Sequence, residues 1–310
     1  MSVLTFETMG TVVSLRGAAP EAASAVRAVF EGYDHRYSLW DPASVLSRVA
    51  AGSLRLPDAP EEVRDVYALA LSWRDRTGGA FTPHRPDGVV DLSGVVKALA
   101  IRDAGAVLDV DSDDWVLSAG GDVLVRGTHW ADEPWSIGVV DPARRDTVVG
   151  VVRLAGSRRA VATSGTAERG EHIWRRSVPT FVQATVVADD IMTADVLATA
   201  VVAGDEDDLR RTTVDHDVDV LAFAVDGAVW ATPGAASWVA PASSTVRAAG
   251  PLEQPREQGF PRVPPDGSDS LLTRLTTQLI AADQSPDSDP GSSPGQGCDS
   301  SSSRINPHLA

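Results

Sequence analysis

Asp195 and Thr199 stand four residues apart in "TADVLATA" (193–200), a stretch whose apolar spacing reads as helix. At that spacing both side chains project from one helical face. A carboxylate and a hydroxyl one turn apart offer hard oxygen ligands of the kind Mg2+ takes. The same spacing also arises from a surface aspartate and a threonine packed in an Ala-rich helix, and spacing alone does not decide. A second stretch, "DLSGVVKALA" (91–100), gathers Asp91, Ser93, Gly94 and Lys97 at a strand-to-helix junction. Free backbone N–H groups at a helix start attract anions. Lys97 lies on the same face as Ser93, one turn beyond Gly94, so its ammonium can return toward such an anion. Gly94 permits close approach of a ligand or metal to the backbone. Lys97 is the only lysine, against 26 arginines, and it falls in an apolar run. An ordinary capped helix with a snorkelling lysine remains the alternative.

Two further stretches carry polar groups. "LSAGGDV" (117–123) puts Gly120-Gly121 between two strand-like pieces. That pair means a bulge, a close backbone contact or a plain hairpin turn. "ATSGTAERGEHI" (162–173) packs Thr163, Ser164, Gly165, Glu168, Arg169 and His172 together, as a polar site or as a solvated loop.

The elements that must position these residues follow from periodicity and turn signals. Residues 1–16 read as two strands meeting at Met9-Gly10. Helices are expected over 20–36, with Pro20 in the first turn, over 41–49 and over 60–76. "TGGAF" (77–81) breaks the last of these, "HRPDG" (84–88) turns, and Ser93 caps a helix running to about Leu108. Strands are expected over 115–127, 135–140, 147–154, 160–165 and 180–188, then a helix over 190–204 and a hairpin around Asp226-Gly227. Strands in runs, with helices between, predict an α+β fold rather than a doubly wound sheet. No internal repeat is visible in the sequence.

The chain has 310 residues, 43% of them apolar, which is enough for one large domain or two smaller ones. Composition shifts near Gly250 to Pro, Ser, Gly, Asp and Gln. The expected organisation is one folded domain over 1–250 and a largely disordered tail over 251–310, with a docking or linker helix over 271–282. Net charge is −16, and twelve of those charges fall on residues 1–250. Such a body repels phosphate backbones, which argues against nucleic acid. Any anionic ligand needs a local cation or metal to offset the field. The single cysteine, Cys298, excludes an intrachain disulfide and a Cys-based zinc site. No signal-like N-terminus and no membrane-length apolar run is seen, so a cytoplasmic location without a membrane span is expected.

The order of the motifs carries more than any one of them. "MGT" at 9–11, "YSLWDPASVLSRV" at 37–49, "TGGAF" at 77–81, "DLSGVVKA" at 91–98, "AGGD" at 119–122, "TSGTAER" at 163–169, "HI" at 172–173 and "ADVLATA" at 194–200 follow one another in the chain. In that order the sequence resembles the ApbE family of flavin transferases, over about residues 5–235.

The resemblance implies mixed, largely antiparallel sheets flanked by helices, an ApbE-like (T-fold-like) architecture. It implies a Mg2+-dependent FAD:protein FMN transferase, which cleaves the FAD pyrophosphate, moves FMN to a threonine hydroxyl of an acceptor protein and releases AMP. FAD hydrolysis to FMN and AMP, or flavin binding without catalysis, are the alternatives. By resemblance the metal ligands are the Gly94 carbonyl and the side chains of Asp195 and Thr199. Met9, Trp40, Ala80, Phe81, Asp91 and Lys97 line the FAD site, and His172 lies by the reacting centre as the candidate proton acceptor. Three departures stand out: Thr82 replaces the aspartate usual after "TGGAF", a segment of several dozen residues shrinks to "TPHRPDGVV", and "WRRSVP" from Trp174 replaces the residues that usually follow His-Ile.

Overall fold

Residues 93–111 carry a wide apolar face as far as Leu108, and residues 191–203 carry apolar side chains nearly all round the helical axis, a pattern stable only inside a protein. Eleven residues of the second are buried, Asp195 among them. The computed structural model, which describes residues 3–129, 132–165, 173–174 and 178–238, packs both helices against one sheet and against each other, the second almost wholly inside. Along the chain, β1 (Leu4–Thr8) and β2 (Thr11–Arg16) lead into α1 (Pro20–Tyr37), α2 (Val45–Ala50), α3 (Glu61–Arg76) and α4 (Ser93–Asp111). Then come β3 (Trp115–Ala119), β4 (Asp122–Arg126), β5 (Trp135–Val140), β6 (Val148–Leu154), β7 (Ala160–Gly165) and β8 (Phe181–Ala188). The order closes with α5 (Ile191–Ala203), α6 (Glu206–Asp215), β9 (Asp219–Ala224), β10 (Val229–Ala231) and α7 (Pro233–Ala236).

Eight strands form one antiparallel sheet in the order β1-β2-β3-β4-β7-β8-β9-β10, and β5 and β6 pair as a separate hairpin. Both faces of the sheet are covered. Trp115, Leu117 and Ala119 of β3 turn to the layer holding α1, α4 and α5. Val116 between them turns to the layer of the β5–β6 hairpin, with Val161 and Val187. Two-sided burial explains why these strands read as continuous apolar runs rather than alternating ones. Each fully buried Leu or Phe here contributes about 1.5–3 kcal/mol through area removed from water.

The α+β expectation holds, and the predicted elements are present with small shifts at their ends. Two points differ, and one open alternative is decided. Ser93 does not cap α4; the cap position is Leu92, and the Asp91 carboxylate accepts the Ser93 N–H at 2.9 Å. An aspartate two residues before the first helical N–H does what a capping serine would. α6 escapes sequence reading because acids and arginines surround its narrow buried stripe, in which Leu209 is the one apolar side chain beside Asp208 and Thr212; a capping box between Asp205 and Asp208 starts it. Gly120-Gly121 is a plain two-residue hairpin turn between β3 and β4, with φ of 59° and 90° that glycine adopts without strain. No repeat is legible in the sequence, yet the order of elements repeats. Two strands, helices and two strands recur as β1–β4 and as β7–β10. The tail beyond 238, including 271–282 and 284–310, lies outside the described residues.

Candidate active site

The two central helices meet where these halves join, and a solvent-open cleft lies there. The start of α4 makes one wall, through Asp91, Gly94 and Lys97. Asp195 and Thr199 of α5 make the facing one. Ala80 and Phe81 flank it, and Thr163 and Ser164 at the end of β7 complete it.

Local structure fixes each wall. α3 ends at Thr77, whose hydroxyl donates to the Trp73 carbonyl at 2.9 Å and accepts the Phe81 N–H at 3.1 Å. Gly78 and Gly79, both at positive φ, fold the chain back between them. The Phe81 ring then packs on Gly94, where an added Cβ would come within 2.7 Å of it. This ring crowds any side chain at 94, whether or not a ligand also approaches. α5 starts at Asp190, whose carboxylate accepts the Thr193 N–H at 2.9 Å and its hydroxyl at 2.7 Å.

Lys97 is the electrostatic centre. Its ammonium pairs with the Asp122 carboxylate at the start of β4 and lies 3.5 Å from Asp195 Oδ1. Asp122 is fully buried and Asp195 nearly so. Asp122 Oδ1 also accepts the Thr163 N–H at 3.2 Å, tying β4 to β7. Two carboxylates and one ammonium leave the trio one negative charge, held away from water where counter-charge counts most. Beside it the Ser164 and Thr199 hydroxyls are hydrogen-bonded at 3.0 Å.

The structure therefore gathers Ala80, Phe81, Asp91, Gly94, Lys97, Asp195 and Thr199 around one cleft. It does not bring Met9 or Trp40 into the cleft wall. Met9 is at φ 49° in the β1–β2 turn with its N–H on Asp34, and Trp40 is 94% exposed. His172 lies outside the described residues. Sequence reading gives no role to Asp122, and it gives Ser164 only a place in a cluster that is either a polar site or a solvated loop; the structure puts Ser164 on the cleft. The signal for Asp122 was available: a lone lysine in a buried helix needs a carboxylate, and "AGGD" sets one in an otherwise apolar strand pair. Two departures from the family pattern meet at the rim. Trp174 lines the cleft, and the Arg85 guanidinium of the shortened segment lies 5.3 Å from its ring centroid.

Among the described residues no group of three or more His, Cys, Asp or Glu could hold a metal. The oxygen donors gathered near Lys97 are instead the Asp195 carboxylate and the hydroxyls of Thr199 and Ser164, with the Asp91 carboxylate elsewhere on the same lining. Hard oxygens of this kind suit Mg2+ and not a soft metal.

A family model described as the ApbE family matches residues 9–85 and 82–222. The chain belongs to the ApbE family. Solved structures of similar fold include an ApbE protein from Thermotoga maritima, 22% identical with a TM-score of 0.62, the match covering 75% of this chain and 97% of that one. The flavin transferase ApbE from Vibrio cholerae is 20% identical with a TM-score of 0.59, over 77% and 99%. The flavinyl transferase ApbE of Pseudomonas stutzeri, in its apo form, is 17% identical with a TM-score of 0.63, over 77% and 97%. No match was found among curated proteins.

Proposed function

We propose that this ApbE-family chain is a Mg2+-dependent flavin transferase, which takes FAD, moves FMN to a threonine hydroxyl of an acceptor protein and releases AMP. The observation that carries the reading is the meeting of Asp195 and Thr199 with Gly94 and Lys97 across one cleft. The names of the flavin transferases that share the fold add to it. In this reading residues 1–250 are the catalytic domain and 251–310 a separate tail.

Asp195, Thr199 and the Gly94 carbonyl would hold the metal. Bound there, Mg2+ supplies positive charge for the pyrophosphate and polarises the phosphoryl oxygen under attack. Lys97, anchored at the same wall, meets the negative charge of the diphosphate in a protein of net charge −16. Ala80, Phe81 and Trp174 offer apolar and aromatic surface to the rings of the dinucleotide. His172 is assigned the proton of the threonine hydroxyl. Little covalent chemistry is left to the protein, so positioning and electrostatics carry the rate.

The purified chain, incubated with FAD, Mg2+ and cell lysate, tests this. A flavin-fluorescent protein band that survives a denaturing gel, with FMN mass on a threonine peptide, is the expected result. Free FMN and AMP with no labelled band would make the chain a hydrolase, and intact FAD a binder.

A further inference from the structure

Lys97 is held by two carboxylates that belong to different halves of the fold, and only one of them faces the cleft. Asp195 lines the cleft on α5, whereas Asp122 is wholly buried behind it at the start of β4. The shorter contact is to Asp122, and the one to Asp195 is 3.5 Å. Asp122 is itself fixed, because its other oxygen takes the Thr163 N–H. We infer that the Lys97 ammonium is the resident counter-ion of Asp195 in the cation-free protein, and that Asp122 is the positioning residue that keeps the ammonium when a divalent cation takes Asp195 over. This rests on the reading of Asp195 as a metal ligand.

The charge balance gives the reason. Without a cation, Lys97 spares the Asp195 carboxylate burial as a lone charge. A divalent cation on Asp195 repels the ammonium, which can neither remain at 3.5 Å from that carboxylate nor leave the interior at small cost. Asp122 offers the place to withdraw to. The loaded site then carries one net positive charge, opposite in sign to a diphosphate. With Asp122 neutral, the ammonium is drawn more strongly to Asp195 and competes with the cation for it.

Because Lys97 is the only lysine, the full chain labelled with 13C,15N-lysine gives one set of side-chain resonances, and these report this ammonium alone. Titration with Mg2+ should move them saturably, with the same midpoint that calorimetry gives for Mg2+ binding. Asp195→Asn should abolish both signals. Lys97→Met, close in volume, should tighten Mg2+ binding by about tenfold, through loss of a neighbouring positive charge. Asp122→Asn should weaken it by a similar factor, and the double variant should restore it. Mg2+ that binds and depends on Asp195, with lysine resonances unmoved and the affinity of Lys97→Met unchanged, overturns the exchange and leaves the metal site standing. No Mg2+ binding at all overturns both.

Discussion

The two halves of the fold repeat one order of elements and bring different chemistry to the cleft. The first, β1–β4 with α1–α4, supplies Lys97 and Asp122. The second, β7–β10 with α5 and α6, supplies Asp195, Thr199 and Ser164. Their central helices also start differently. α5 begins on the Asp190 cap and runs at once into the sheet's apolar layer. α4 has no cap from its own N-cap residue, and its start is shaped by the irregular 77–92 segment through Phe81, Asp91 and Gly94. A helix seated in a core makes a rigid platform for ligands, while one started by a loop can change its mouth without changing its axis. The departures from the family pattern fall in or touch that loop. Thr82 and Arg85 belong to it, and Trp174 lies under the Arg85 guanidinium.

If the second half is the platform for the chemistry, its carboxylate is the most sensitive residue. Asp195→Asn keeps shape and removes charge. FMN formation from FAD and Mg2+ should fall by about a hundredfold or more, the scale of losing one charge-stabilising group. Equal loss on Asp190→Ala, which touches only the cap, would show that helix integrity and not the carboxylate is being measured.

The seam comes next. β4 and β7 share only a short registered pairing, Val123 with Val161 and Leu124 with Ala160. Asp122 adds a hydrogen bond across it to the Thr163 N–H, and holds Lys97, whose second carboxylate partner, Asp195, lies in the other half. Asp122→Ala takes that acceptor from the Thr163 N–H and the nearer carboxylate from Lys97, and should cost about 3 kcal/mol by urea denaturation. Gly94→Ala presses a methyl on the Phe81 ring inside the first half and should cost about 1–3 kcal/mol. Its denaturation midpoint falls without a change of slope if the damage stays at that contact. Asp190→Ala, the loss of one cap, should cost about 1 kcal/mol.

How much of this was legible depended on how locally each feature is encoded. The helix of Asp195 and Thr199 shows in seven residues of pattern, and its four-residue spacing was read as one face, as found. The strands were legible for the same reason, though their apolar runs hid which side each residue takes. Asp122 was not read as part of the site, because its partners lie 25 and 41 positions away, on α4 and β7. Met9 and Trp40 were placed by motif order alone, and nothing in the cleft wall holds them. α6 was hidden by charge: its helix rests on a capping box and one thin stripe rather than on a wide apolar face.

The halves should also part company in alkali. All three tyrosines, Tyr33, Tyr37 and Tyr67, lie in the first half. The Tyr33 hydroxyl donates to Asp103 at 2.6 Å and so ties α1 to α4. Burial, then that bond and the Asp103 charge, raise its pKa above the usual value. Burial raises Tyr37 as well. A group with a raised folded-state pKa contributes stability that is complete below the unfolded value, about 10, and is lost as pH climbs toward the folded one. The denaturation midpoint should therefore fall above about pH 10, and Tyr33→Phe, less stable at neutral pH by about 1 kcal/mol, should fall less steeply. Amide hydrogen exchange in that range should open α1 and α4 before α5. Loss of α5 first, or an alkaline slope that Tyr33→Phe leaves unchanged, would mean that the weakness in alkali lies in the seam and not in the first half.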